Sequence, residues 1–166
     1  MSPVTQSRWV TFGCYGTLVD GRASSGAVRL FDDVEGMLTA LRHQGYRLAI
    51  LTNCDDERFE AVHRRFRQPF DLFVTAERIR AQKPSLWHFR AFELLTHVAR
   101  QDWMHVACGW YHDIAPARAF GINSVWLDRR RTGDDPSAAS AHVYTAAEAA
   151  GAIVGLFDRA GAEIEA

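Results

Sequence analysis

The chain has 166 residues, 48% of them apolar, and a formal net charge of −1, which bounds it to about one domain with room for a proper core. That balance argues against a global attraction to nucleic acid or an anionic membrane, and no apolar run approaches the roughly 20 residues that span a bilayer. Three cysteines cannot close a disulfide framework, and the first residues lack a basic-then-apolar leader, so a cytoplasmic protein is expected.

In chain order, short apolar runs alternate with helical periods. Arg8 to Phe12 reads as a buried strand that runs into the turn Gly13 to Thr17. Val34, Met37, Leu38 and Leu41 recur at helical spacing after the capping candidates Asp32 and Asp33, and Gly45 closes that helix. A second strand is expected over Tyr46 to Thr52. Phe59, Val62 and Phe66 mark the next helix, for which Thr52 and Asn53 are cap candidates that could also receive an anion. Phe70 to Thr75 is a third strand. Pro84 suits the first position of a helix whose Trp87, Ala91, Leu94, Leu95 and Val98 share one face. Met104 to Cys108 and Asn123 to Asp128 are further strands, separated by a short helix that stops at Gly121. Arg129, Arg130 and Arg131 open a polar loop that is expected to be solvated rather than to bind phosphate; a strand at His142 to Tyr144 and a helix from Ala146 to about Phe157 complete the chain.

These alternations predict a single domain over residues 1–166: a doubly wound, Rossmann-like parallel α/β sheet flanked by helices, with ligands bound outside the carboxyl ends of its strands. Four places fall there: Gly13 to Thr17, Thr52 to Asp56, the segment leading to Lys83, and Cys108 to Asp113.

Four ordered stretches, "FGCYGTLVD", "LAILTNCDD", "AQKPSLWHF" and "HVACGWYHDIAPARAFGINSVWLDRR", resemble the four motifs of the haloacid dehalogenase (HAD) superfamily, nearest its 2-haloacid dehalogenase-like branch. The resemblance covers nearly the whole chain. It implies a covalent mechanism, in which an aspartate ending the first strand attacks carbon or phosphorus. Thr52 and Lys83 would hold the substrate anion and the nucleophile, and the last motif would supply acids that bind Mg²⁺ in phosphatases. Thr17, Thr52, Asn53, Lys83 and Asp113 match the motifs, and Tyr15 matches the dehalogenase branch. The implied catalytic positions are therefore Thr52, Lys83 and Asp113, the implied substrate-binding positions Cys14, Tyr15, Thr17, Thr52, Asn53 and Lys83, and the one implied metal ligand Asp113.

Two departures shape the functional expectation. The nucleophile position is Gly13 and the first acid of the last motif falls on Cys108. Loss of a covalent nucleophile typically removes on the order of 10⁴–10⁶ in rate, so the aspartyl-ester chemistry should be absent. Mg²⁺ would lack its expected carboxylates. Between the first and second motifs only about a dozen residues, around Gly21 to Leu30, remain beyond strand and helix, too few for a cap domain, which leaves the site open.

Each residue also has a plainer role open to it: Asp113 as a helix cap, His112 as a satisfied surface residue, and Cys14, Cys54 and Cys108 as buried packing rather than a thiol nucleophile or Cys/His metal site. Three functions remain open. The chain is a non-catalytic module that binds a small anion or assembles with a partner protein covering the open site, with a homodimer possible; or a hydrolase of the family lacking its nucleophile; or an enzyme repurposed around Asp113, Lys83 or a cysteine.

Overall fold

A computed structural model of the chain describes residues 7–21 and 28–165. Its central feature is a six-stranded sheet in which every pairing is parallel. The sheet is built from β1 (Trp9–Phe12), β4 (Arg47–Thr52), β5 (Leu72–Thr75), β6 (Trp103–Ala107), β7 (Asn123–Leu127) and β8 (Ala141–Val143). The spatial order is β5-β4-β1-β6-β7-β8. β2 (Val19–Asp20) and β3 (Arg29–Leu30) form a small antiparallel ribbon beside it.

Helices cover both faces, as a sheet of continuously apolar strands requires. α1 (Val34–His43), α2 (Asp56–His63) and α6 (Ala146–Glu165) lie over the face that presents Val10, Phe12, Leu48 and Ile50. α4 (Trp87–Thr96) and α5 (Ala115–Phe120) lie over the other, where Trp9, Ala49, Leu51 and Trp103 pack against Phe89, Phe92 and Phe120. The short α3 (Ala76–Ile79) follows β5. The expected doubly wound α/β fold is present, and no inserted cap domain occurs among the described residues. Part of the Gly21 to Leu30 stretch expected to be too short for a cap domain, residues 22–27, lies outside them.

The sheet departs from the expectation in informative details. Pro84 does not open a helix: it follows a cis peptide bond, and the helix starts three residues later with Leu86 as its cap. Of the face expected for α4, Trp87, Leu94 and Leu95 are more than half exposed, Ala91 is partly buried and Val98 is buried beyond the helix end, while His88, Phe89 and Phe92 point inward. Both faces of this helix are apolar, so periodicity alone does not choose between them; the aromatic pocket of Trp103 and Phe120 does. Phe66 falls beyond the end of α2. Asp33 is the α1 N-cap by position but makes no side-chain cap bond. Its carboxylate instead accepts from both terminal nitrogens of Arg129, at 2.8 and 3.0 Å, and from the Ala146 backbone N–H that begins α6. Arg129 also lies 4.1 Å from the centre of the Phe31 ring, so it is a structural clamp rather than part of a solvated loop.

Candidate functional site

The chain leaves β1 for β4 on one side and returns to β6 on the other, so the carboxyl end of β1 lies at the reversal of strand order, where an open sheet forms its binding crevice. The turn after β1 is tight. The Cys14 carbonyl accepts from the backbone N–H groups of Thr17, Leu18 and Val19. Gly16 occupies the left-handed region at φ +77°, and a Cβ there would stand 2.6 Å from Cys108 Sγ, so both conformation and space demand glycine. The buried Thr17 hydroxyl accepts from the Cys108 N–H at 2.9 Å, tying the first loop to the last.

Lys83 is fixed from several directions. Asn53, one residue past β4, grips its backbone: Nδ2 donates to the Lys83 carbonyl and Oδ1 accepts from the Lys83 N–H, at 3.1 and 2.8 Å. His112 Nδ1 donates to that same carbonyl at 3.1 Å. The buried Lys83 ammonium then donates to the Leu51 carbonyl at 3.0 Å and to Asp113 Oδ1 at 2.6 Å. Thr52 and Asn53 do not cap α2. That role belongs to Asp55, whose side chain accepts from the Arg58 N–H at 2.7 Å. Nor does Asp113 cap α5. It sits in a π-helical turn, Trp110–Ile114, with its side chain turned inward to the lysine.

Behind Asp113 a chain of polar groups runs into the core. His105 Nε2 lies 2.9 Å from Asp113 Oδ1, His105 Nδ1 lies 2.8 Å from Thr11 Oγ1, and Trp103 Nε1 donates to Thr11 Oγ1 at 2.9 Å. A carboxylate only accepts, so Nε2 carries the imidazole proton and Nδ1 takes the Thr11 hydroxyl. Burial alone would raise the Asp113 carboxyl, but the Lys83 ammonium and the His105 N–H hold it well below the usual carboxylate range. Burial lowers His105, which keeps it neutral. It also pushes His88 down to about 4, although His88 Nε2 bonds the Thr52 carbonyl at 2.9 Å.

Gly13 lies against this cluster. Side chains alternate along β1, so position 13 faces the same way as Thr11, toward Asp113. A Cβ at Gly13 would stand 3.1 Å from Ala107 Cβ, 3.2 Å from Thr17 Oγ1 and 3.5 Å from Asp113 Oδ1. The backbone there is outside the left-handed region, so glycine is not a conformational necessity.

In front of these groups opens a cleft of about 680 Å³, lined by Tyr15, Thr52, Asn53, Cys54, Cys108 and Asp113, with Arg58 and Arg130 among its cations. Neither arginine is in an ion pair among the described residues. A fit for Mg²⁺ fails on the donor set. Magnesium takes near-octahedral oxygen ligands with one or two carboxylates. Here Asp113 Oδ1 is already engaged by Lys83 and His105, Gly13 offers no side-chain oxygen, and burial raises the Cys108 thiol and keeps it protonated. No group of three or more His, Cys, Asp or Glu arranged to hold a metal occurs among the described residues.

Residues 11–127 match the model of the haloacid dehalogenase-like hydrolase family. The chain belongs to that family. Within the family it is 32% identical over 101 residues to haloacetate dehalogenase H-2 of a Moraxella species, covering 60% of this chain and 45% of the relative. It is 30% identical over 111 residues to a phosphoserine phosphatase of Thermus thermophilus, covering 66% of this chain and 45% of that protein. The chain thus spans about 45% of the length of each of these relatives. The L-2-haloacid dehalogenase RSc1362 has the same fold at a TM-score of 0.78 and 15% identity, over 89% of this chain and 98% of that one. A dehalogenase solved as an intermediate complex superposes at 0.76 and 16% identity, over 87% and 96%. No helix among the described residues is long and apolar enough to cross a membrane.

All four expected segments thus meet at one site: Asn53, Lys83 and Asp113 are joined by hydrogen bonds, Thr17 ties the first loop to Cys108, and Thr52 lines the cleft. Cys14 is buried behind the cleft, while Tyr15 forms part of its wall. The sequence reading passed over Thr11, His88 and His105, and it favoured a solvated loop over a phosphate-binding role for Arg130. A signal for His105 was available: it is a lone imidazole inside the otherwise apolar run Met104 to Ala107.

Proposed function

We propose that this HAD-family chain is a binding module that does not run aspartyl-ester hydrolysis and that takes a small anion, a carboxylate or a phosphate, in its open cleft. The observation that carries the reading is the surroundings of Gly13. No nucleophilic group stands there, and the lysine that would orient one is already paired with Asp113 at 2.6 Å. That pairing moves the expected anion contact away from Lys83, whose charge is spent inside the site, and away from the start of α2, where Asp55, Asp56 and Glu57 already supply negative charge. Arg58 and Arg130 are the cations that remain at the cleft, and guanidinium groups suit carboxylate and phosphate through paired hydrogen bonds. The curated relatives are named for haloacetate and phosphoserine, both anions, which supports this ligand class.

Titration calorimetry at low ionic strength with phosphate, sulfate and a small 2-hydroxy or 2-halo carboxylate tests the reading. We expect binding that weakens with salt and falls at least tenfold in Arg58→Ala, with no turnover of an aryl phosphate or 2-chloropropionate. Turnover by the unaltered chain, or no binding of any of these anions, would overturn it.

A second reading, a family hydrolase lacking only its nucleophile, draws on the backbone at position 13, which admits a side chain. Gly13→Asp separates the two. A carboxylate there would crowd Asp113 and compete with it for Lys83, so we expect no more than trace hydrolysis. Turnover within about a hundredfold of an ordinary enzyme's roughly 10 s⁻¹ would establish the hydrolase reading instead.

A further inference from the structure

Two of the three cysteines converge at the mouth of the sheet. Cys14 lies two residues beyond β1 and Cys54 two residues beyond β4, and these strands are parallel neighbours with Phe12 opposite Ile50. Extending that register sets Cys14 beside Thr52, and the chain then turns so that Cys54 comes back onto Thr52. The Cys54 N–H donates to Thr52 Oγ1 at 3.2 Å, and Cys54 Sγ stands 2.7 Å from the same hydroxyl. Cys14 follows Phe12, and Thr52 follows Ile50, at the two-residue spacing that keeps side chains on one face, so the Cys14 side chain neighbours the hydroxyl that Cys54 Sγ contacts. Neighbouring parallel strands run about 4.8 Å apart, which sets the Cys14 backbone beside that of Thr52, the residue onto which Cys54 folds back.

The two sulfurs are not equivalent. Cys54 lines the cleft, whereas Cys14 is 2% exposed and sits behind it. Cys108, the third cysteine, lies on the far side of β1, with its thiol directed to the Tyr15 carbonyl at 3.7 Å.

We propose that Cys14 and Cys54 form a redox-active dithiol, which a hydroperoxide entering the cleft oxidises to an intramolecular disulfide. In the first step the Cys54 thiolate attacks one peroxide oxygen; an S–O bond forms, the O–O bond breaks, and the departing hydroxide takes a proton from solvent. The Cys14 sulfur then attacks the resulting sulfenic acid; the S–S bond forms, the S–O bond breaks, and the leaving hydroxide departs as water with the Cys14 proton. Two thiols are oxidised by two electrons and hydrogen peroxide is reduced to two waters. The division of labour follows the surroundings. The neighbouring Cys14 thiol and the Thr52 hydroxyl, assisted by the charge of Arg58, lower Cys54 to about 6 against the effect of its burial, while the neighbouring Cys54 and burial raise Cys14. Cys54 is thus the attacking sulfur and Cys14 the resolving one. This site shares the cleft and Arg58 with the anion-binding reading but does not rest on it.

The test treats the reduced full chain with hydrogen peroxide and maps its peptides without reduction. We expect a Cys14–Cys54 crosslink, Cys108 still open to alkylation, and an alkylation rate for Cys54 that levels off above about pH 7 while that of Cys108 is still climbing at pH 9. Cys14→Ser should leave Cys54 as a sulfenic acid that dimedone traps. A crosslink through Cys108, a disulfide only between two chains, or retention of all three thiols at peroxide levels that oxidise free cysteine would overturn the proposal.

Discussion

The back and the front of this site differ in how completely their polar groups are satisfied. Behind Asp113, Lys83, His105, Thr11 and Trp103 form an unbroken run of hydrogen bonds, buried and matched donor to acceptor. In front, Tyr15, Arg58 and Arg130 face solvent and the cleft. A buried charge is tolerable only when it is paired, so the back is held by its own energetics whether or not any reaction occurs. The front carries no such obligation, and ligand recognition there is free to vary. Lys83 and Asp113 are in this way held in place by their own pairing, whatever the cleft does.

The sharpest way to break that contrast is Asp113→Ala, which strands the Lys83 ammonium without a counter-ion. We expect a loss of about 3–5 kcal/mol in urea unfolding, the range for removing one partner of a buried pair. A loss under about 1 kcal/mol would show the back to be dispensable.

The pH dependence of stability is the next largest effect. His88 and His105 are lowered by burial, so below the ordinary imidazole value of about 6.5 the unfolded chain binds protons that the folded chain refuses. Stability should fall as pH drops from about 6.5 toward 4, with a slope of up to roughly 1.4 kcal/mol per unit for each imidazole. His88→Gln should remove part of that slope. Asp113 acts lower down: its folded value is depressed, so its contribution is full above the ordinary carboxylate value of about 4 and is lost as pH falls through the folded value. A flat profile between pH 7 and 5 would contradict neutral buried imidazoles.

Gly13→Ala tests the seam between the two regions. Its Cβ would press on Ala107 and Thr17, so a cost of about 1 kcal/mol is expected, at the low end for overpacking. The smallest effect belongs to the front. Arg58→Ala should change unfolding free energy by no more than about 0.5 kcal/mol, as for an ordinary surface substitution, while the proposed anion binding is expected to weaken.

The same contrast explains what was legible in the sequence. Strand positions were plain because β1, β4 and β6 are buried on both faces and read as apolar runs. Motif order brought Thr17, Thr52, Asn53, Lys83 and Asp113 together before any geometry was known. What escaped was long-range pairing. That Asp33 serves Arg129 and Ala146 rather than its own helix depends on groups 96 and 113 residues away. That Lys83 is neutralised by Asp113, and so is not a free anion contact, depends on the rotation of the π-helical turn. The buried face of α4 was set by Trp103 and Phe120, which no local period reports.

The place of β1 in the sheet also bears on how the chain is made. This strand comes first in sequence yet lies near the middle of the sheet, between β4 and β6. On a ribosome, β1 can pair with β4 once residue 52 has emerged, but its other edge stays open until residue 107 follows. At about 5–20 residues per second that interval is roughly three to eleven seconds. For those seconds a nascent chain displays the unpaired backbone of Trp9–Phe12, an edge of the kind that templates association with other chains. In vectorial synthesis, shielding of that edge therefore matters most before β6 arrives to cover it.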